Sequence, residues 1–235
     1  VLWSRVRFSA WTSLVVVVAL ILADVRRPMV LLAYFLATAA GGAALRTLRG
    51  AFLTAKRRHQ PWYDALRGPS AGGMVVHLGV VVMALAIVTS TSYTTRNEVT
   101  LATGQSTVVS GQYITFHGFR TVKDPLETAT QLRVEVDHHA LLPAVTTYHG
   151  RGTQPVGTPA IDSNLARDVY LTFDAVGGTG EASGAQVKGN LPAGSVLLGV
   201  VVEPLLAWLW IGGLLLGVGA ALSFVRRRHG EDVDA

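Results

Sequence analysis

Cysteine is absent from the 235 residues. The chain therefore forms no disulfide, exchanges no thiols, builds no zinc–thiolate site and carries no covalent haem through Cys-x-x-Cys-His. Charge is the second scarcity, at 15% of residues against an ordinary share of roughly 25% in soluble domains. A mean hydropathy of +0.39 accompanies it, with the apolar residues clumped in blocks. Together these exclude an ordinary soluble domain and point to a bilayer as solvent. Signatures of phosphate loops, zinc proteases and serine hydrolases are also missing.

What is present is four long uncharged runs. Sixteen residues lie between Arg7 and Asp24, 18 between Arg27 and Arg46, 28 between Arg67 and Arg96, and 22 between Glu203 and Arg226. A membrane-spanning helix needs about 20 residues. The sequence thus predicts about four transmembrane helices, of which the first is short, at ~24 Å. A cleaved signal peptide is the alternative for that run. However, the chain passes through Asp24-Val25-Arg26-Arg27 into the next apolar block with no small-residue cleavage site.

The basic residues cluster near Arg5 and Arg7, from Arg46 to Arg67, and at Arg226–Arg228. With four spans these share one side, cytoplasmic by the positive-inside bias; Arg26 and Arg27, in a short hairpin, run against it. Residues 94–202 then lie outside, with seven basic against nine acidic residues. The formal charge of +5 is thereby a matter of membrane topology, and no nucleic-acid partner is expected. The expected organisation is 1–48 (two transmembrane helices), 49–70 (a cytoplasmic basic loop), 71–93 (the third helix), 94–202 (outer domain), 203–225 (the fourth helix) and 226–235 (a cytoplasmic tail).

The outer segment changes texture. Gln131–Asp137 alternates, with Leu132, Val134 and Val136 on one face and Arg133, Glu135 and Asp137 on the other. Residues 99–109, 112–119 and 168–174 are also β-rich. Between the runs lie Gly104, Gly111, Lys123-Asp124-Pro125, Pro143, Gly150-Arg151-Gly152 and Gly177-Gly178. Seven or so short strands imply a small barrel or sandwich. At the exit, a strand to Val202 and a helix from Pro204 to Val225 are expected, with Pro204 in the helix's first turn. Trp208 and Trp210 suit the headgroup layer, and Gly212, Gly213, Gly217 and Gly219 permit close approach of another helix.

His77 is the one ionisable residue deep within an uncharged run that is long enough to span. A polar group facing hydrocarbon is costly when unpaired, so the imidazole must face protein, water or a ligand. Gly73, Met74, Val80 and Val81 share its helical face. Gly73, with Gly72 and Gly79 nearby, leaves little bulk, which suits a flat ligand. Neutral imidazole is a good axial ligand for haem iron. A hydrogen bond to a neighbouring helix's carbonyl would satisfy it equally. His138-His139 could bind a metal only in a loop, because adjacent strand residues point to opposite faces. His117 and His149 are expected to be solvated, and His59 and His229 belong to basic tracts.

The run from Gly72 to Tyr93 containing His77-Leu78-Gly79, the stretch GTPAIDSNLARDVYLTF (157–173) and EPLLAWLWIGGLLLGVGAAL (203–222) occur in this order. In that order they resemble the C-terminal third of the CcmF family, the haem lyase component of bacterial cytochrome c maturation. The resemblance covers about residues 70–225. It implies a multi-pass protein of the bacterial inner membrane that takes part in cytochrome complex assembly. It further implies that His77 is an axial ligand of haem b, with Gly73 beside it in the cofactor site, and that the second ligand lies outside this chain. The family's tryptophan-rich haem-handling segment lies upstream and has no counterpart here, so the chain is expected to be a fragment or split subunit, not catalytic alone. Implied partners are the N-terminal CcmF portion, a haem chaperone, a thiol-handling maturation subunit, apocytochrome c and membrane lipid. From the residues alone, a membrane-anchored β domain acting as a cofactor-free scaffold is the other reading.

Overall fold

The computed structural model describes residues 2–66, 70–149, 155–177, 186–187, 191–192 and 194–231. Arg67, the turn expected at 150–152 and Gly178 lie outside the described residues. Among the described residues five helices are present: α1 (Leu2–Leu22), α2 (Pro28–Arg57), α3 (Trp62–Leu66), α4 (Ala71–Tyr93) and α5 (Ala207–Glu231). The chain forms two compact units, one of residues 1–92 with 205–235 and one of residues 93–204.

Among the described residues of the helical unit, three helices are long and apolar enough to cross a membrane: α2, α4 and Ala207–Phe224 of α5. The apolar part of α1 is shorter, Ser9–Leu22, in keeping with the short first run. Asp24 ends α1 in the left-handed region (φ 65°), and the Val25 N–H returns to the Leu20 carbonyl. That pattern closes a helix by satisfying its last carbonyls. Pro28 then opens α2 at a position where no amide hydrogen is needed. Small polar residues seat the two helices together: Ser13 is buried, and Ser9 and Thr12 lie beside Gly42.

The basic stretch after the second run differs from the expected loop. Residues 49–57 continue α2, because no proline intervenes before Pro61 and the one glycine, Gly50, is tolerated within the helix. The helix stops where His59 turns left-handed (φ 56°) and the Gln60 N–H reaches the Ala55 carbonyl. Residues 62–66 then form α3.

The second unit contains eleven strands among the described residues. They are β1 (Thr95–Ala102), β2 (Ser106–Val109), β3 (Gln112–Lys123), β4 (Glu127–Val136), β5 (His139–Leu141) and β6 (Ala144–Tyr148). β7 (Pro155–Thr158), β8 (Ala160–Ser163), β9 (Arg167–Val176), β10 (Gln186–Val187) and β11 (Ser195–Pro204) complete the set. One sheet has the order β1-β11-β9-β10 with β8 also on β9; the other has β2-β3-β4-β6-β7 with β5 also on β4. Both contribute to one apolar core, in which Ile114, Phe116, Leu132 and Val136 from one sheet meet Val169, Leu171, Leu198 and Val200 from the other. This is the β-rich domain expected from the alternating pattern, with more strands than the seven or so anticipated. The surplus comes from strands of two to four residues, too short to show a period.

Turn chemistry sets the register. Ser110-Gly111 and Asp137-His138 both have positive φ and join β2 to β3 and β4 to β5 through two-residue hairpin turns. Asp137 is therefore a turn residue, not the last residue of the β4 strand. At the exit, the strand extends beyond Val202 to Pro204, and α5 opens at Ala207 rather than at Pro204. Pro204 is tolerated because β1 pairs with β11 only as far as Val202, which leaves Pro204 at an edge position beside β9 alone, and Leu205 at φ 58° makes the turn.

Candidate functional site

His77 lies six residues into α4, about 9 Å from its start. Its side chain is exposed, and among the described residues no hydrogen-bond partner meets it. The expected alternative, a bond to a neighbouring helix's carbonyl, is not found there. Gly73, one turn earlier on the same face, has nothing within 4 Å of where a Cβ would stand, and Val80, one turn later, is exposed. The imidazole thus projects from an apolar helical face left open beside it.

The other two glycines near His77 do something different. Gly72 and Gly79 lie about 140–160° around the helix from it. Both pack on α5: a Cβ at Gly79 would stand 2.7 Å from the Gly212 carbonyl oxygen, and one at Gly72 would stand 2.8 Å from that of Gly219. The contact is reciprocal and antiparallel, with the two glycines of each helix seven residues, or two turns, apart. Gly72 and Gly79 therefore bring helices together, and of the three only Gly73 leaves space beside His77. On α5, Gly212 and Gly219 make the approach anticipated for small residues, while Gly213 and Gly217 face nothing within 4 Å. A third face of α4 turns to α2, where Tyr34 and Thr89 share a hydrogen bond through their hydroxyls.

In the β unit His117 and His138 share the Glu135 carboxylate, and His139 pairs with Asp162. His139 Nδ1 lies 2.8 Å from Asp162 Oδ1, His138 Nδ1 3.4 Å from Glu135 Oε1, and His117 Nε2 3.2 Å from Glu135 Oε2. His149 meets the Thr128 hydroxyl at 2.9 Å. No group of three metal-ligating side chains occurs among the described residues, so His138-His139 gains no third ligand there.

The Arg167-Asp168-Val169-Tyr170 stretch opens β9 after a turn capped by Asn164, whose Oδ1 accepts from the Ala166 and Arg167 amides at 2.9 and 3.0 Å. Arg167 donates to Asp137 Oδ2 at 2.8 Å, joining β9 to the β4–β5 turn. Asp137 Oδ1 also accepts from the Tyr113 amide at 2.9 Å. One carboxylate thus ties three chain segments together. Asp168 is buried, with Glu203 opposite it on β11. Desolvation, then the charges of Glu203 and Asp168, push the Tyr170 phenol above its usual range. These residues brace the two sheets, and none of them forms a catalytic constellation.

No family model matches the chain. Curated proteins do. The cytochrome c-type biogenesis protein CcmF of Pseudomonas aeruginosa is 27% identical over 163 residues, covering 67% of this chain and 22% of that protein. CcmF of Escherichia coli is 24% identical over 166 residues, covering 69% of this chain and 24% of its own length. Among solved structures, the cytochrome c haem lyase CcmF has the same fold, with a TM-score of 0.63 over 94% of this chain at 21% identity. This chain corresponds to 33% of that structure's length. It spans less than a quarter of the curated relatives it matches.

Proposed function

We propose, from the premise that this is a partial CcmF-family sequence in a multi-pass membrane protein, that the chain is the C-terminal part of a cytochrome c haem lyase. In this reading it helps to hold haem b within the bacterial inner membrane and supports haem attachment to apocytochrome c. The observation that carries the proposal is His77, an imidazole without a hydrogen-bond partner among the described residues, on an apolar face with Gly73 open beside it.

Those residues fit haem. His77 would offer a neutral nitrogen to the iron, and Gly73 would let a flat macrocycle approach the α4 backbone. The bound group would supply redox chemistry. The chain's own contribution is to orient the imidazole on a helix clamped to α5 through Gly72 and Gly79. The other haem ligand and the tryptophan-rich haem-handling surface would belong to the N-terminal CcmF portion, as part of one polypeptide or as a split subunit. A haem chaperone, a thiol-handling subunit and apocytochrome c complete the proposed partners. Lacking cysteine, this chain cannot do the thiol work itself.

The test is a visible spectrum of the complex purified with that N-terminal portion. Wild type should show a low-spin b-type spectrum. His77→Leu should insert normally and lose it, and His77→Gly should regain part of it with added imidazole. Full haem content in purified His77→Leu would sink the reading.

The proposed topology places both termini and residues 46–70 in the cytoplasm and residues 94–202 outside. Leu126, exposed at a turn in the β unit, provides a sensitive reporter because the chain has no native cysteine. An impermeant thiol reagent on intact cells should label Leu126→Cys and spare Arg57→Cys. The opposite pattern would invert the topology.

A further inference from the structure

A cleft of about 1130 Å³ lies between α1, α2 and α4. Its walls are apolar, with Trp11, Val16, Leu45, Val81, Val82 and Leu85 among them, and its polar end carries Arg7, Arg46 and Arg49. No carboxylate lines it. Arg46 and Arg49, three apart, share one face of α2, and Arg7 comes from α1. Three arginines from two helices therefore line one end of a greasy slot. Gly41 and Gly42 shape the slot: a Cβ at Gly41 would stand 3.3 Å from Val81, and one at Gly42 would stand 3.7 Å from Thr12 Oγ1.

We infer that this cleft is a binding site for one anionic phospholipid, with an acyl chain along the apolar walls and the phosphate on the arginines. Length supports it. From Ala37 to Arg49 the cleft follows twelve residues of α2, about 18 Å, close to the ~15 Å depth of one leaflet of a ~30 Å hydrocarbon core. Charge supports it too. An anionic lipid phosphate already sits at that depth, and basic pockets between membrane helices hold such headgroups. The arginines belong to the cluster proposed as cytoplasmic, so the lipid is drawn from that leaflet. The site is separate from His77, which does not line the cleft.

The experiment uses the chain purified from membranes with its N-terminal partner portion, and two probes, phosphatidylglycerol and phosphatidylcholine. Native mass spectrometry should show phosphatidylglycerol retained at least fivefold over phosphatidylcholine. Arg46→Gln with Arg49→Gln should lower that preference by roughly fivefold per arginine, and adding Arg7→Gln should abolish it. Arg57→Gln with Arg58→Gln, outside the cleft, should leave it intact. A photo-crosslinking residue at Thr38, which lines the cleft, should gain the mass of one phospholipid in living membranes. Equal retention of the two lipids would overturn the inference. So would a preference unchanged by loss of Arg46 and Arg49 or falling equally with the control pair, or a crosslink from position 38 to protein instead of lipid.

Discussion

Replacing Gly79 with Leu is expected to unseat α4 from α5. A Cβ there would stand 2.7 Å from both the Gly212 carbonyl oxygen and the Leu216 amide nitrogen, and 3.2 Å from the Leu216 Cα. All three are backbone atoms, which cannot rotate aside as the end of a side chain can. The helices must separate over the neighbouring Gly72–Gly219 contact as well, forfeiting dispersion along two turns. Overpacking of this kind costs on the order of 3 kcal/mol or more. That corresponds to a fall of roughly 6–12 °C in melting temperature for a chain of this size. Gly73→Leu is the matched comparison, because nothing stands within 4 Å of its Cβ position. It should melt with wild type while lowering haem content, since it fills the face beside His77. Thermal unfolding of the purified complex followed by size-exclusion chromatography reads both. Equal melting of Gly79→Leu and wild type would mean that the glycine pairs do not hold these helices together.

Val134→Asp is expected to unfold the β unit. Val134 is 1% exposed in the middle of β4, opposite Phe116 on β3 and Leu141 on β5. The core around it is built from apolar side chains of both sheets, so an aspartate there is left without a partner. Burying an unpaired carboxylate costs several kcal/mol even when it protonates to escape the charge. That is a large share of the ~5–15 kcal/mol by which a domain is stable. Arg133→Asp, one residue earlier on the exposed face, should change stability by no more than about 0.5 kcal/mol. Limited proteolysis within 93–204 distinguishes them, with rapid cleavage expected for Val134→Asp and wild-type resistance for Arg133→Asp. A Val134→Asp protein as resistant as wild type would show that this side of β4 is not core.

The spans and the β4 face were legible in the residues because both obey local rules. Bilayer thickness is a length, and an uncharged run either reaches across it or falls short. Strand alternation is likewise contained in a few consecutive residues, so Leu132, Val134 and Val136 declared their shared face. The place of His77 on an apolar helix was legible for the same reason, a lone imidazole in an uncharged run. The short strands were not, since two to four residues carry no period. The path of the chain after Val202 was misread because β11 is held in register by β9 as far as Arg167 and Pro204, which are distant in sequence.

What only the tertiary structure decided was which surfaces meet. Seven-residue glycine spacing on α4 and α5 is compatible with many neighbours, and nothing local says that Gly72 faces Gly219 while Gly73 stays open. The same holds for Arg7 joining Arg46 and Arg49 around one cleft, and for Arg167 reaching Asp137 across 30 positions of chain. Composition and periodicity determined that this protein lives in a membrane, carries a β domain and sets one imidazole in an apolar helix. Pairing determined the rest, because the energy of a close contact depends on the shape of both partners and the sequence order of one segment contains only half of that shape.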